Sequence, residues 1–204
     1  MLFESYIKNN VESFKAKVES VAQKLAINPD WLMMVMYAES RLNPAAYNSS
    51  TGASGLIQFM PATAKALGTT TESLRALSNV AQMDWVYKYF KKYTGKIKSA
   101  YDLYKITFFP ISLGKPQNWV FQTSTLSASR IAALNAGMDI NKDGKITIAE
   151  FEEYVDKKFI AAGVTNPRYY ATFNPYDSSP KGNILKIDKR VLYGTFGAAC
   201  FFFS

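Results

Sequence analysis

The sequence predicts a mainly α fold, and three observations carry that prediction. Ile7, Val11, Phe14, Val18, Val21 and Leu25 recur at alternating steps of four and three, the period of an amphipathic helix with one apolar stripe. Trp31 to Glu39 ("WLMMVMYAE") is apolar or Tyr in every member but the last, and Asn28 and Pro29 stand before it as a helix cap and a first helical residue. Asn79 to Tyr93 ("NVAQMDWVYKYFKKY") is amphipathic at the same period.

Taken in chain order, the stripe from Ile7 to Leu25 makes a long first helix packed on the core, and the Trp31 to Glu39 run makes a buried second one. Asn43 to Gly55, rich in Asn, Ser, Thr and Gly and flanked by prolines, breaks the helical pattern into a loop of the kind that lines a substrate. Pro61 opens the next helix, and Thr71 to Ala76 is a short one with a Thr cap. The Asn79 to Tyr93 helix follows, and Ser99 caps another that runs to about Phe108 and is stopped by Pro110. From Ser127 the chain changes character: a short helical run, then "DINKDGKITIAE", then the amphipathic helix "FEEYVDKKF". Residues 164 to 204 are rich in aromatics and in Gly, Pro, Asn and Ser with no clean period, which leaves open a wrapping tail, a small strand pair or a docking segment. The expected organisation is a main domain over residues 1–126, an appended segment over 127–163 and an irregular C-terminal tail over 164–204, with no internal repeat.

A chain of 204 residues can bury a substantial core and most simply makes one main domain with an appendage. The composition, 48% hydrophobic, 20% charged and 15% aromatic, is that of a globular protein. Lys and Arg outnumber Asp and Glu by 24 to 16, a formal charge of +8 that favours a polyanionic partner: nucleic acid, a membrane surface or the carboxylate-rich bacterial cell wall. The basic residues are scattered and no zinc, zipper or RNA-binding signature accompanies them, which argues against specific nucleic-acid binding. The apolar runs are far shorter than a membrane span. Cys200 is the sole cysteine, so no intramolecular disulfide is expected. "MLFESYIKNNVESF" carries Glu4, Lys8 and Glu12 where an apolar export signal would run, so no secretory signal is expected.

Glu39 is the residue that points to chemistry. Desolvation by its apolar neighbours and the negative end of the helix dipole both oppose ionisation there, so its pKa is expected to be raised. A carboxyl that keeps its proton near neutral pH is suited to general acid work. The plainer reading is a partly exposed Glu at the end of a core-facing segment. Ser40 reads as a helix-end partner, and with no His in the chain a Ser-His-Asp triad is impossible.

The stretch "ESRLNPAAYNSSTGASGLIQFMPATA" (Glu39 to Ala64) resembles the catalytic core of the soluble lytic transglycosylase family, relatives of goose-type lysozyme. The matching pieces are the Glu39-Ser40 pair at a helix end, the "GASGLIQ" turn from Gly52 to Gln58 and the "MPATA" helix start from Met60 to Ala64, in the family's order and spacing. The likeness covers roughly residues 20 to 115 and implies a lysozyme-like helical domain acting on peptidoglycan glycan strands. It implies cleavage of the β-1,4 bond of N-acetylmuramic acid, with Glu39 as a single acid that then acts as base on the C6 hydroxyl. The product is a 1,6-anhydro end, formed without water.

By the same likeness Ser54 and Gln58 face the cleft, and Tyr47 and Asn48 contact ring faces or acetamido groups, although Asn and Ser in loops also serve local turns. Most glycosidases need two carboxylates. Between Ser40 and Thr71 there is no Asp or Glu, which argues against hydrolysis of the goose-lysozyme type. Asp84 and Asp102 remain as possible second carboxylates, so a hydrolytic muramidase on the same fold is the near alternative. A virion structural or wall-binding protein without turnover is the more distant one.

One motif departs from the family pattern. Family members place a Tyr in an "AYN"-like segment with its hydroxyl on the catalytic Glu, whereas "LYKITFFPISLGK" (Leu103 to Lys115) puts Phe108 or Phe109 there. Tyr104, one turn before Phe108, can supply the hydroxyl from the same face, or else nothing does and the site is more apolar. This variant resembles a phage-associated branch. Delivery by a phage particle or release through a phage-made lesion would bring such an enzyme to the wall, and "FGAACFFFS" (Phe196 to Ser204) is a candidate docking segment for virion proteins.

"DINKDGKITIAE" fits the EF-hand loop template, with Asp139, Asn141 and Asp143 at its first three ligand positions, Gly144 at the sharp turn and Glu150 at the last position. Lys145 would contribute its carbonyl, Thr147 would act through water and Ile146 would pack the loop. A single EF-hand-like segment suits one structural Ca2+; the alternative is a metal-free acidic turn.

Overall fold

The first helix, α1 (Val11–Leu25), starts one turn later than the apolar stripe predicts. Asn10 takes a left-handed conformation (φ 53°) that interrupts the helix, and Ile7 is buried from a separate segment after the 3-10 turn Glu4–Tyr6. Val11, the stripe member at the break, stays 36% exposed, while Phe14, Val18, Val21 and Leu25 reach the core. The structure is a computed structural model and describes residues 1–175.

Helix α2 (Pro29–Ser40) opens as expected: Asn28 Oδ1 accepts from the Asp30 N–H at 2.9 Å and Pro29 takes the first position. Every residue from Trp31 to Tyr37 is buried, as suits a helix surrounded on all sides. It contacts α1 and three later helices, α6 (Ala100–Phe108), α8 (Ile148–Ala161) and α9 (Pro167–Thr172). Left-handed Arg41 (φ 55°) and Leu42 (φ 61°) end it and turn the chain into the loop.

Between them lie α3 (Pro61–Leu67), α4 (Thr71–Arg75) and α5 (Asn79–Phe90), and α7 (Ala128–Leu134) precedes α8. Hydroxyl caps set five starts: Thr70 accepts from Ser73 N, Ser78 from Ala81 N, Ser99 from Asp102 N, Ser127 from Arg130 N and Thr147 from Glu150 N. A 3-10 turn, Lys91–Tyr93, takes the end of the predicted Asn79 to Tyr93 helix. Among the described residues there is no strand, only the isolated bridges Tyr47 to Ser54, Ser54 to Phe59 and Val120 to Thr147.

The segment after residue 126 shares the core of the first. Phe151, Val155 and Phe159 on α8 are fully buried in one cluster with Trp31 and Met33, and each large apolar side chain so buried contributes about 1.5–3 kcal/mol.

The tail expected to lack period begins with a helix instead. Asn166 and Pro167 repeat the Asn-Pro start of α2, with Asn166 Oδ1 accepting from Tyr169 N at 3.1 Å. Trp31 Nε1 donates to the Tyr170 carbonyl at 2.8 Å and Asn28 Nδ2 to that of Phe173 at 2.7 Å, so residues 167–173 wrap the start of α2. The "FGAACFFFS" segment and Cys200 lie outside the described residues. No helix among the described residues is long and apolar enough to cross a membrane.

Candidate active site

Glu39 sits in the last turn of α2, where three other helices bring groups to it: Tyr89 from α5, Tyr104 from α6, and Tyr154 and Lys158 from α8. Part of the side chain reaches solvent, yet burial is the largest influence on the carboxyl and raises its pKa. The positive charge of Lys158 and a hydrogen bond from Tyr104 oppose that rise. Burial and the negative charge of Glu39 push the Tyr104 hydroxyl well above its ordinary value, so it stays a proton donor. Burial lowers the Lys158 ammonium, Glu39 pulls it back up and Arg41 lowers it again. Lys158 Nζ donates to the Tyr104 hydroxyl at 3.2 Å.

Of the two possibilities left open for the missing motif, the structure favours the first: Tyr104 and Glu39 act on each other's ionisation, which puts the phenol beside the carboxyl. Phe108 lies one turn on in an aromatic wall, its ring 5.5 Å from Phe121 and 5.6 Å from Phe151. Phe151 in turn meets the Tyr104 ring edge-on at 5.5 Å.

The Gly52 to Gln58 turn is tied to the loop at Pro44 and to α4 by a fully buried side chain, Gln82 of α5. Its Oε1 accepts from Leu56 N at 2.5 Å, and its Nε2 donates to Pro44 O at 3.0 Å and Leu74 O at 2.8 Å. Ser40 adds a second tie, its Oγ bonded to Met36 O and Leu56 O, both at 2.9 Å. Ser40 is thus the helix-end partner expected from the sequence.

Ser54 does not face a cleft. It is fully buried, donates to Gly52 O at 3.1 Å and accepts from Arg75 Nη1 at 2.8 Å, because the turn folds its hydroxyl inward. Asn48 spends its carbonyl oxygen on the N–H groups of Ser50 and Thr51 at 3.0 and 3.2 Å, the local turn role that competes with sugar contact. Tyr47 is 56% exposed, its ring stacked under the Arg75 guanidinium at 4.3 Å. Gln58, half-buried with φ 52°, donates to Gly55 O at 3.1 Å and lines a small cavity with Tyr89, Thr107 and Met60. That cavity, about 20 Å³, has room for one water and not for a sugar. A larger one, about 700 Å³, lies beside Asn28 and Tyr170 at the other end of α2, roughly 15 Å away along the helix, and holds none of the residues around Glu39.

The second-carboxylate candidates are occupied elsewhere. Asp84 is 66% exposed and pairs with Lys17 at 2.6 Å, and Asp102 pairs with Lys105 at 3.0 Å.

In the acidic loop, Asp139 accepts from Asp143 N at 3.1 Å and Gly144 N at 3.0 Å, and Asn141 Oδ1 accepts from Asp143 N at 2.9 Å. Gly144 (φ +79°) makes the sharp turn, and Lys145 N donates to Asp143 at 2.9 Å. Glu150 is turned back to cap α8, accepting from Thr147 N at 2.9 Å and Thr147 Oγ1 at 2.8 Å. Among the described residues no three His, Cys, Asp or Glu side chains gather closely enough to hold a metal ion. The donor types suit a hard cation, and Glu150 would have to exchange its Thr147 bonds for the ion. The edge of the loop is paired, with Phe121 N donating to Ile146 O at 2.9 Å and Ile148 N to Trp119 O at 3.1 Å.

Sequence reasoning missed Tyr89, Gln82, Tyr154 and Lys158. Gln82 had a signal, being a polar residue on the same face of α5 as Met83, Val86 and Phe90. Lys158 had one too: it is seven residues after Phe151 and so on the apolar face of α8, whereas Lys157 is exposed and paired with Glu153 at 2.8 Å.

Residues 17–104 match the family described as Transglycosylase SLT domain. The match runs from α1 to Tyr104, so it contains Glu39 and the Gly52 to Gln58 turn and stops short of α8. No curated protein and no solved structure matches the chain.

Proposed function

From the premise that residues 17–104 are the domain of a lytic transglycosylase, an enzyme of the lysozyme-like family that acts on peptidoglycan, we propose that Glu39 alone cuts the glycan. Its carboxyl gives its proton to the oxygen between N-acetylmuramic acid and N-acetylglucosamine as the C1–O bond breaks. The carboxylate then takes the proton of the muramic acid C6 hydroxyl, O6 bonds to C1, and the 1,6-anhydro end forms with Glu39 reprotonated.

One observation carries this reading: Glu39 ends a buried helix beside Tyr104 and Lys158, while the candidate second carboxylates Asp84 and Asp102 are paired with Lys17 and Lys105. Digestion of purified peptidoglycan by the wild type, followed by mass analysis of the muropeptides, tests it. Ends lacking one water are expected, and Glu39→Gln is expected to lower their yield at least about 100-fold. Reducing ends in their place would mean hydrolysis, and no soluble product at all would mean a binding protein.

Two finer readings attach to this one. The Asp139 to Glu150 loop takes a single Ca2+ through Asp139, Asn141, Asp143, the Lys145 carbonyl and Glu150, supported by the donor set and the Gly144 turn. The likeness of Leu103 to Lys115 to a phage-associated branch supports a phage setting, in which a particle or a membrane lesion delivers the enzyme to the wall.

A further inference from the structure

Lys158 lies on α8, 54 residues beyond the end of the matched domain, yet it stands over the catalytic pair. Its ammonium is 3.2 Å from the Tyr104 hydroxyl and 5.7 Å from the centre of that ring, and it covers the Tyr154 ring at 5.0 Å. A phenol has one proton to give and lone pairs to accept with. Lys158 occupies an accepting position of the Tyr104 hydroxyl, which leaves the single Tyr104 proton for the neighbouring Glu39 carboxyl. The chain of donors therefore runs from ammonium to phenol to carboxylate, each bond strengthened by the charge at its end.

We propose that Lys158 is a positioning residue for the acid: by donating to the Tyr104 hydroxyl it orients that phenol toward Glu39. The effect serves both halves of the reaction. A stronger acid gives its proton to the leaving oxygen more readily. The carboxylate that results is held by Tyr104 and Lys158 until the C6 hydroxyl returns a proton, while Tyr104 and Lys158 keep their own.

Among the groups facing Glu39, Tyr89 on α5 and Tyr104 on α6 are phenols, as is Tyr154 on α8; Arg41, beyond the end of α2, acts on Lys158. Lys158 is the cation whose charge acts on the carboxyl directly, against the effect of burial. The inference rests on Glu39 being the acid, and the variants below separate the two.

The test is the pH dependence of glycan cleavage by the full chain, with the Glu39 carboxyl followed by 13C NMR and assigned by its loss in Glu39→Gln. In Lys158→Met the Glu39 titration and the alkaline limb of the rate are expected to move up by about one unit. The plateau rate is expected to fall about tenfold, because a weaker acid protonates the leaving oxygen more slowly. Lys158→Arg is expected to restore the limb. A merely structural lysine would lower the rate with the limb in place, and an unmoved limb and titration in folded Lys158→Met overturn the inference while leaving Glu39 as the acid. Where Lys158→Met does not fold, Lys158→Gln, which removes the charge and keeps a polar head, gives the same two outcomes. Full activity in Glu39→Gln would instead sink the proposed function itself.

Discussion

Gly55→Ala gives the sharpest test of how the Gly52 to Gln58 turn is built. Gly55 has φ +80°, and a methyl added there meets the Gln82 side chain, with Cδ at 2.9 Å and Nε2 at 3.0 Å. Gln82 cannot swing aside without giving up its bonds to Leu56 N, Pro44 O and Leu74 O. The left-handed backbone costs an alanine about 1–2 kcal/mol, and overpacking adds about 1–3 kcal/mol. The sum, about 2–5 kcal/mol, is a large part of a domain stability of about 5–15 kcal/mol. In a Gln82→Ala background the methyl has room, and only the backbone cost of about 1–2 kcal/mol should remain. Urea unfolding of wild type, both single variants and the double variant measures the coupling directly, and about 1–3 kcal/mol is expected. An equal cost of Gly55→Ala in both backgrounds would refute the claim that Gln82 is what forbids a side chain at position 55.

The remaining predictions concern charge. Because burial raises the Glu39 carboxyl in the folded state, the native protein holds a proton there that the unfolded chain has already lost, so this group lowers stability as pH rises from its ordinary value of 4.5 to the raised one. Glu39→Gln is accordingly expected to melt above the wild type at neutral pH and level with it near pH 3; parallel melting curves across that range would contradict the buried acid. For the acidic loop, Ca2+ is expected to raise the melting temperature of the wild type and not of Glu150→Gln, and equal melting in Ca2+ and in chelator would count against the ion.

The helices were legible because their starts are local. Asn28-Pro29 and the hydroxyls of Ser78 and Ser99 act within one turn of themselves, and the structure shows each bonded as its position suggests. Glu39 was legible for a similar reason, since a lone carboxylate among buried neighbours is visible in one dimension. The inward rotation of Ser54 was not, because it depends on Arg75, 21 residues away, and on Gly52. Nor was Lys158, whose meaning comes from a phenol 54 residues earlier. Asn166-Pro167 carried the same start signal as Asn28-Pro29 and went unread because the aromatic residues around it have no period.

The geometry also bears on why a second carboxylate would be hard to recruit. Hydrolases place it about 5–9.5 Å from the acid. On the elements around Glu39 the nearby acids are committed to cations of their own: Asp102 to Lys105 at 3.0 Å, Glu152 to the same buried lysine at 3.5 Å, and Asp156 to Arg168 at 3.0 Å and to the Tyr101 hydroxyl. Freeing Glu152 would leave Lys105, itself 7% exposed, with Asp102 as its remaining carboxylate partner among the described residues. What faces Glu39 instead is three phenols and an ammonium, none of which deprotonates a water at neutral pH once burial has raised the phenols. The base left for the second step is the Glu39 carboxylate, and a nucleophile tethered within the sugar competes for it at a far higher effective concentration than a passing water.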